Sequence, residues 1–270
     1  MSGRSSTGPT SLTDVEPLVS TWLSGLDGIP TQAQNVNQQH YAASLMKVPV
    51  AIAAYRLRDR GLLSLDEPIT VHPDFDSAVV GSRFEMDPAE DQDPDTWAAV
   101  GSPLPLGDLV RRSLTVSGNL AVNLVLERVG LEEVAAVLAD AGVTPMTTVS
   151  RGIEDAPARE AGLQNLVTAN DMGKLLTKLA SGRLLSPEST AELEGILVAQ
   201  EYRDAIPLGV PEDAVVGNKT GWIDGVRHDM AIIRPAQGEP QVMVVLTTGL
   251  DDDESEFRIS EVARYLWSTL

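Results

Sequence analysis

The feature that most constrains this chain is a change of hydrophobic period near residue 214. Before it, apolar residues recur at helical spacing over 106–114, 119–129, 131–141, 168–179 and 187 to about 200, with Gly130 and Gly142 as stops. After it come three runs of strand character, 214–220, 226–233 and 241–248, the last built on Val242-Met243-Val244-Val245-Leu246. A closing helix from about 253 places Ile259, Val262, Ala263 and Leu266 on one side. Upstream, residues 12–26 set Leu12, Val15, Leu18, Val19, Trp22 and Leu23 at helical spacing, and 44–60 reads as an alanine-rich helix with Pro49 in its first turn and Gly61 as its end. The expected fold is therefore α+β: an antiparallel sheet with N- and C-terminal helices packed on it, plus an inserted all-helical domain. The expected division is a discontinuous sheet domain of residues 1–43 and 190–270 around a helical domain of 44–189. Residues 1–10 read as a disordered tail, 27–40 as a linker or one weak strand, and 143–166 as a loop long enough to be functional.

Composition narrows the function classes. The chain of 270 residues has 39 acidic and 20 basic side chains, a formal charge of -19. That balance argues against nucleic acid, which needs a basic footprint, and against an anionic membrane surface. The absence of cysteine excludes disulfides, thiolate zinc sites and cysteine nucleophiles. His40, His72 and His228 have no ligand spacing, so no metal or other cofactor is expected. No run reaches membrane-spanning length, and the first residues lack a hydrophobic leader core. As written the chain reads as cytoplasmic; a sequence trimmed of its leader would look the same and would be exported. The expectation is a monomer acting on a small molecule. The acidic stretch 87–95 reads as a solvated surface loop, because it lacks the spacing of a calcium loop.

Three short motifs carry chemistry. Ser44 and Lys47 lie three apart at the head of a predicted helix, hence on one face. A serine becomes a nucleophile when a base takes its proton, and a lysine can be that base once burial or nearby positive charge keeps its amine neutral. The same pair also fits a surface lysine beside a capping serine. The chain carries 16 arginines but only four lysines, Lys47, Lys174, Lys178 and Lys219, so a retained lysine suggests a need for a titratable amine. Lys219-Thr220-Gly221 ends a predicted strand, where a cation and a hydroxyl could anchor a carboxylate and glycine admits close approach; a plain strand-to-turn junction is the alternative. Ser117-Gly118-Asn119 falls between two helices and alone would be a turn with a helix cap.

In their order, these motifs make the chain resemble the penicillin-recognising serine enzymes, and among them the class A β-lactamase family, over roughly residues 42–270. The resemblance implies the β-lactamase/transpeptidase-like fold and a serine hydrolase that opens β-lactams through an acyl-enzyme on Ser44. Lys47 would activate Ser44, directly or through water. Ser117 would pass a proton to the leaving nitrogen, Asn119 would bind a substrate amide, and Lys219 and Thr220 would hold its carboxylate. The backbone N–H groups of Ser44 and of Trp222, the residue after Gly221, would form the oxyanion hole.

Three departures accompany the resemblance. Gly118 stands where the family usually has aspartate, so looser positioning of the turn is expected. Class A enzymes deacylate with a loop glutamate followed four residues later by asparagine. Here Glu154 is the nearest candidate, with Asp155 and Glu160 as rivals, and the fourth residue on is Ala158. The family's β-hairpin before the catalytic serine has only residues 27–40 to form it, so the sheet is expected to lack a strand there or to cover that edge differently. Arg227 and His228 could add a carboxylate contact, and an ion pair of Arg227 with Asp229 or Asp224 is the structural alternative. Trp97 or Trp222 could wall the site. Competing functions are a penicillin-binding or D,D-peptidase-like protein with slow deacylation, a small-ester esterase on the same Ser-Lys pair, and a non-catalytic binding module.

Overall fold

A computed structural model describes residues 15–270. Its strands are β1 (Leu18–Gly25), β2 (Pro30–Gln34), β3 (His40–Tyr41), β4 (Pro68–Thr70), β5 (Asp74–Asp76), β6 (Arg83–Glu85), β7 (Pro103–Pro105), β8 (Leu166–Val167), β9 (Val215–Ile223), β10 (Val226–Arg234) and β11 (Gln241–Thr248). Its α-helices are α1 (Lys47–Asp59), α2 (Pro94–Ala98), α3 (Leu106–Thr115), α4 (Asn119–Val129), α5 (Leu131–Asp140), α6 (Ala156–Glu160), α7 (Ala169–Ala180), α8 (Pro187–Val198) and α9 (Asp252–Trp267). The main sheet is antiparallel with strand order β2-β1-β11-β10-β9. β9 is thus an edge strand, free on one side to face another part of the molecule.

The helix expected over 12–26 is replaced, from Leu18 onward, by β1, and the first part of that segment lies outside the described residues, as does the expected tail. The cause is burial of both faces. Leu23 joins a cluster with Met243, Val245, Ile259 and Ala263 on the α9 side, while Trp22 joins the larger cluster of the helical side. A strand covered on both faces loses clean alternation, and its apolar run then imitates a helical stripe. β1 and β2 pair as a hairpin, so the strand expected to be missing is present, drawn from the segment read as helix.

α9 covers one face of the sheet, and the Asp251 side chain caps it by accepting the Glu254 N–H. On the other face α7 comes so close to β1 that a Cβ on Gly173 would lie 2.6 Å from the Trp22 ring. Beyond α7, α1 runs through the centre of the larger cluster, buried from Lys47 to Tyr55, and packs against α3, α4 and α5. This arrangement brings the first residue of α1, the turn before α4 and the edge strand β9 to one place.

Candidate active site

Ser44 lies in a short 3-10 turn, Ala43–Met46, that runs straight into α1. Ala43, just before it, has φ +44°, a left-handed conformation that an alanine adopts only when its surroundings enforce it. Lys47 is fully buried at the first turn of α1. Its Nζ donates to the Ser117 carbonyl (2.6 Å), to Asn119 Oδ1 (2.7 Å) and to Ser117 Oγ (3.3 Å). Burial lowers the amine from the ordinary lysine range to about 7, against the opposing pull of the Asp91 and Asp93 carboxylates.

Lys219, on β9, approaches the same hydroxyl from the other side. Its Nζ donates to Ser117 Oγ (3.0 Å) and to the Thr220 carbonyl (2.8 Å). Burial, and next the charge of Lys47, hold Lys219 well below the ordinary lysine range. Ser117, at φ +60°, therefore sits between two buried amines, each held below the ordinary lysine range. Thr220 Oγ1 is buried with no hydrogen-bond partner among the described residues. Gly221 passes so close to the nucleophile that a Cβ there would lie 2.8 Å from the Ser44 nitrogen. Glycine is what allows the edge strand and the Ser44 turn to meet.

Arg227 is placed differently from a carboxylate contact. Its guanidinium is nearly buried and pairs with Asp204 (2.9 Å) and Glu256 (2.5 Å), stacked beside Trp222. Asp229 instead accepts from Asn218 and the Ile206 N–H. His228 lies in a buried pair with His40, their ring centroids 5.4 Å apart. Of the two tryptophans considered for the wall, Trp222 lines the cavity, while Trp97 donates its indole N–H to Asp91.

The 150–165 loop is closed by Asn165, whose Oδ1 accepts the Ser150 and Arg151 N–H groups and whose Nδ2 donates to the Arg151 carbonyl. Asn123 grips the backbone of Ile153, one bond each way, at 2.9 Å. Glu154 has φ +63°, and its Oε2 accepts the Asp87 N–H (2.8 Å) while Oε1 is buried without a hydrogen-bond partner among the described residues. Burial raises its pKa above the ordinary carboxylate value, reinforced by the charges of Asp91, Glu90 and Asp87 and opposed by the Asp87 N–H bond. Asp155 is spent on structure: it caps α6 and accepts from Ser77 Oγ and the Ala78 N–H. Glu160 is exposed at the end of α6.

A cavity of about 550 Å³ is lined among others by Ser44, Asn119, Ile153, Glu154, Tyr41 and Trp222, while Lys47, Ser117, Lys219 and Thr220 lie buried. The structure thus brings Ser44, Lys47, Ser117, Asn119, Lys219 and Gly221 together, sets Glu154 on the cavity wall and turns Arg227 to an ion-pair network. Sequence reasoning missed Asn123, Asn165 and the residues of 87–95 that reach this place. Asn123 had one signal: it lies four residues after Asn119, a polar side chain within the apolar run from Leu120 to Leu126.

The fold agrees with comparisons to known proteins. The β-lactamase enzyme family is matched over residues 16–270, and the chain belongs to that family. β-Lactamase SME-1 of Serratia marcescens is 30% identical over 189 residues, 67% of this chain and 64% of that protein. β-Lactamase OXY-2 of Klebsiella oxytoca is 29% identical over 65% of this chain and 62% of its own. The match spans just under two thirds of these relatives. Among solved structures, a β-lactamase from Sphaerobacter thermophilus superposes with a TM-score of 0.78 at 27% identity, covering 94% of this chain and 91% of the other. The structure of PBP-A shares the fold at 20% identity, with a TM-score of 0.78 over 97% and 91% of the two chains. The fold is the β-lactamase/transpeptidase-like one.

Proposed function

We propose that this protein is a serine hydrolase that opens β-lactams through an acyl-enzyme on Ser44. The observation that carries the reading is Lys47: a fully buried amine with a pKa near 7, one helical turn from a cavity-lining serine. The neutral amine takes the Ser44 proton, directly or through a water, as Oγ attacks the lactam carbonyl carbon. The backbone N–H groups of Ser44 and Trp222 receive the developing oxyanion. The C–N bond then breaks and Ser117 Oγ, flanked by Lys47 and Lys219, hands its proton to the departing nitrogen and takes in its place the one Lys47 gained from Ser44, which returns the amine to its neutral form. Lys219 and the unpartnered Thr220 hydroxyl hold the substrate carboxylate. Asn119 keeps one N–H and one lone pair for a substrate amide, since Lys47 and the Glu90 carbonyl take the others. The reactant is a small molecule; no nucleic acid or membrane enters the reaction.

One observation favours a second reading for the next step, that of a penicillin-binding protein with slow deacylation. Water attack on the ester needs a placed base. Glu154 on the cavity wall is engaged by the Asp87 N–H, and the loop residue that Asn123 grips is the apolar Ile153. Intact-mass spectrometry after mixing with benzylpenicillin tests both. An adduct on Ser44 that clears within seconds supports the hydrolase. An adduct that persists for hours selects slow deacylation. No adduct with any penicillin sinks β-lactam recognition.

A further inference from the structure

The acidic stretch 87–95 does more than face solvent. The Asp91 carboxylate accepts the N–H groups of Asn119 (2.8 Å) and Leu120 (2.8 Å), the first two residues of α4. It also accepts the Trp97 indole N–H at 2.9 Å, which fixes its orientation. The Glu90 carbonyl accepts Asn119 Nδ2 (2.8 Å), and this turns Asn119 Oδ1 toward Lys47 Nζ. Asp93 is fully buried, pairs with Arg112 and accepts the Thr96 N–H. Its Oδ2 lies 2.8 Å from where a Cβ on Gly118 would sit. Gly118 itself has φ −57°, a conformation open to any residue. Glycine at 118 is therefore dictated by space: the volume a side chain would occupy already holds a carboxylate from the 87–95 stretch.

We propose that Asp91 and Asp93 are positioning residues of the active site. They deliver from a separate segment the carboxylate that a chain with aspartate between the serine and asparagine carries inside its motif. Asp91 holds the α4 N-terminus and thereby Asn119; Asp93 fills the space beside the turn; both set the field at Lys47. The groups around that amine are then Lys219 from β9, Asp91 and Asp93 from this stretch, and Arg112 from α3, already paired with Asp93. The two carboxylates oppose the effect of burial. The inference rests on the reading of Lys47 as the base of Ser44.

Two measurements test it. The chain has four lysines, so a lysine-selective 13Cε NMR titration of the full protein resolves Lys47 without any substrate. In Asp91→Asn its midpoint should fall by about half to one pH unit, because an opposing negative charge is lost. An unchanged midpoint in a folded Asp91→Asn protein overturns the electrostatic role. The second measurement is a rescue. Gly118→Asp places a second carboxylate against Asp93, and Asp93→Gly empties the space, so each should slow benzylpenicillin acylation by about tenfold or more. The double variant Gly118→Asp/Asp93→Gly should recover to within about threefold of the parent. A stable double variant no faster than either single one overturns the positioning role. If Asp93→Gly fails to fold, Asp91→Ala takes its place, and acylation by a folded Asp91→Ala protein at the parent rate overturns the role equally. A parent protein that forms no Ser44 adduct defeats the acyl-enzyme reading, and the NMR titration still decides the electrostatic role of Asp91.

Discussion

The acylation rate should rise with pH through a midpoint near 7, and Lys47→Arg should remove that limb. Burial brings the Lys47 amine to about 7. At pH 7 about half of it is then neutral, whereas a lysine at the ordinary 10.5 is only about 0.03% neutral. The structure thus supplies roughly a thousandfold more free base at neutral pH than an exposed lysine would. Arginine cannot give up its proton, so Lys47→Arg forfeits general-base catalysis, worth about 10²–10⁴ in rate. The assay is single-turnover acylation by a fluorescent penicillin between about pH 5 and about pH 10, which brackets the expected midpoint near 7 by about two units or more, with intact mass confirming the adduct on Ser44. Because Lys47 is buried, the midpoint should move little with added salt. A rate that is flat across neutral pH, a midpoint near the ordinary lysine value, or a Lys47→Arg variant acylating within about tenfold of the parent refutes the reasoning.

Three further outcomes follow from the geometry. Gly221→Ala sets a Cβ 2.8 Å from the Ser44 nitrogen, so acylation should fall by about 10² or more while the protein stays folded by circular dichroism; parent-like acylation would show that the β9–Ser44 approach is unimportant. Glu154→Gln should leave the lifetime of the acyl-enzyme within about twofold of the parent if slow deacylation holds, and lengthen it by about 10² or more if Glu154 is the base, as timed mass spectra will show. Acid should destabilise the fold through His40 and His228, whose folded pKa values are lowered by burial from 6.5 to about 3 and about 4. The unfolded chain binds those protons first, so stability present above pH 6.5 is lost as pH falls toward the folded values, at about 1.4 kcal/mol per pH unit for each histidine. Urea titrations along that window check the slope, and replacing both histidines by glutamine should flatten it.

Much of the fold was legible because its elements obey local rules. α4 begins and ends where the sequence reading set it, since an apolar period runs to Gly130 and little competes with it. α7 begins after Thr168, whose side chain caps the Asp171 N–H. The three C-terminal strands lie where the period changes. β1 was misread because the reading assumed one buried face, while the strand, flanked by β2 and β11, is covered on both. The Ser44, Lys47, Ser117, Asn119 and Lys219 cluster was legible through its motifs and their order. The roles of Asp91 and Asp93 were not: an acidic run among prolines has the composition of a solvated loop whether or not the chain later folds a turn against it.

The sequence alone settled which chemistry is available: a serine and a lysine at helical spacing, a second lysine on a strand, no thiol, and a sheet at the C-terminal end. Those are properties of side chains and of backbone period, and both are local. The tertiary structure decided how the charges are used. It buried Lys47 and Lys219 on one hydroxyl, tied Arg227 to Asp204 and Glu256, held Glu154 by the Asp87 N–H, and brought Asp91 and Asp93 against the Ser117–Asn119 turn. A carboxylate's role depends on its distance from other groups and on how much water it has lost. Neither is written in its neighbours along the chain; both are set when distant segments pack.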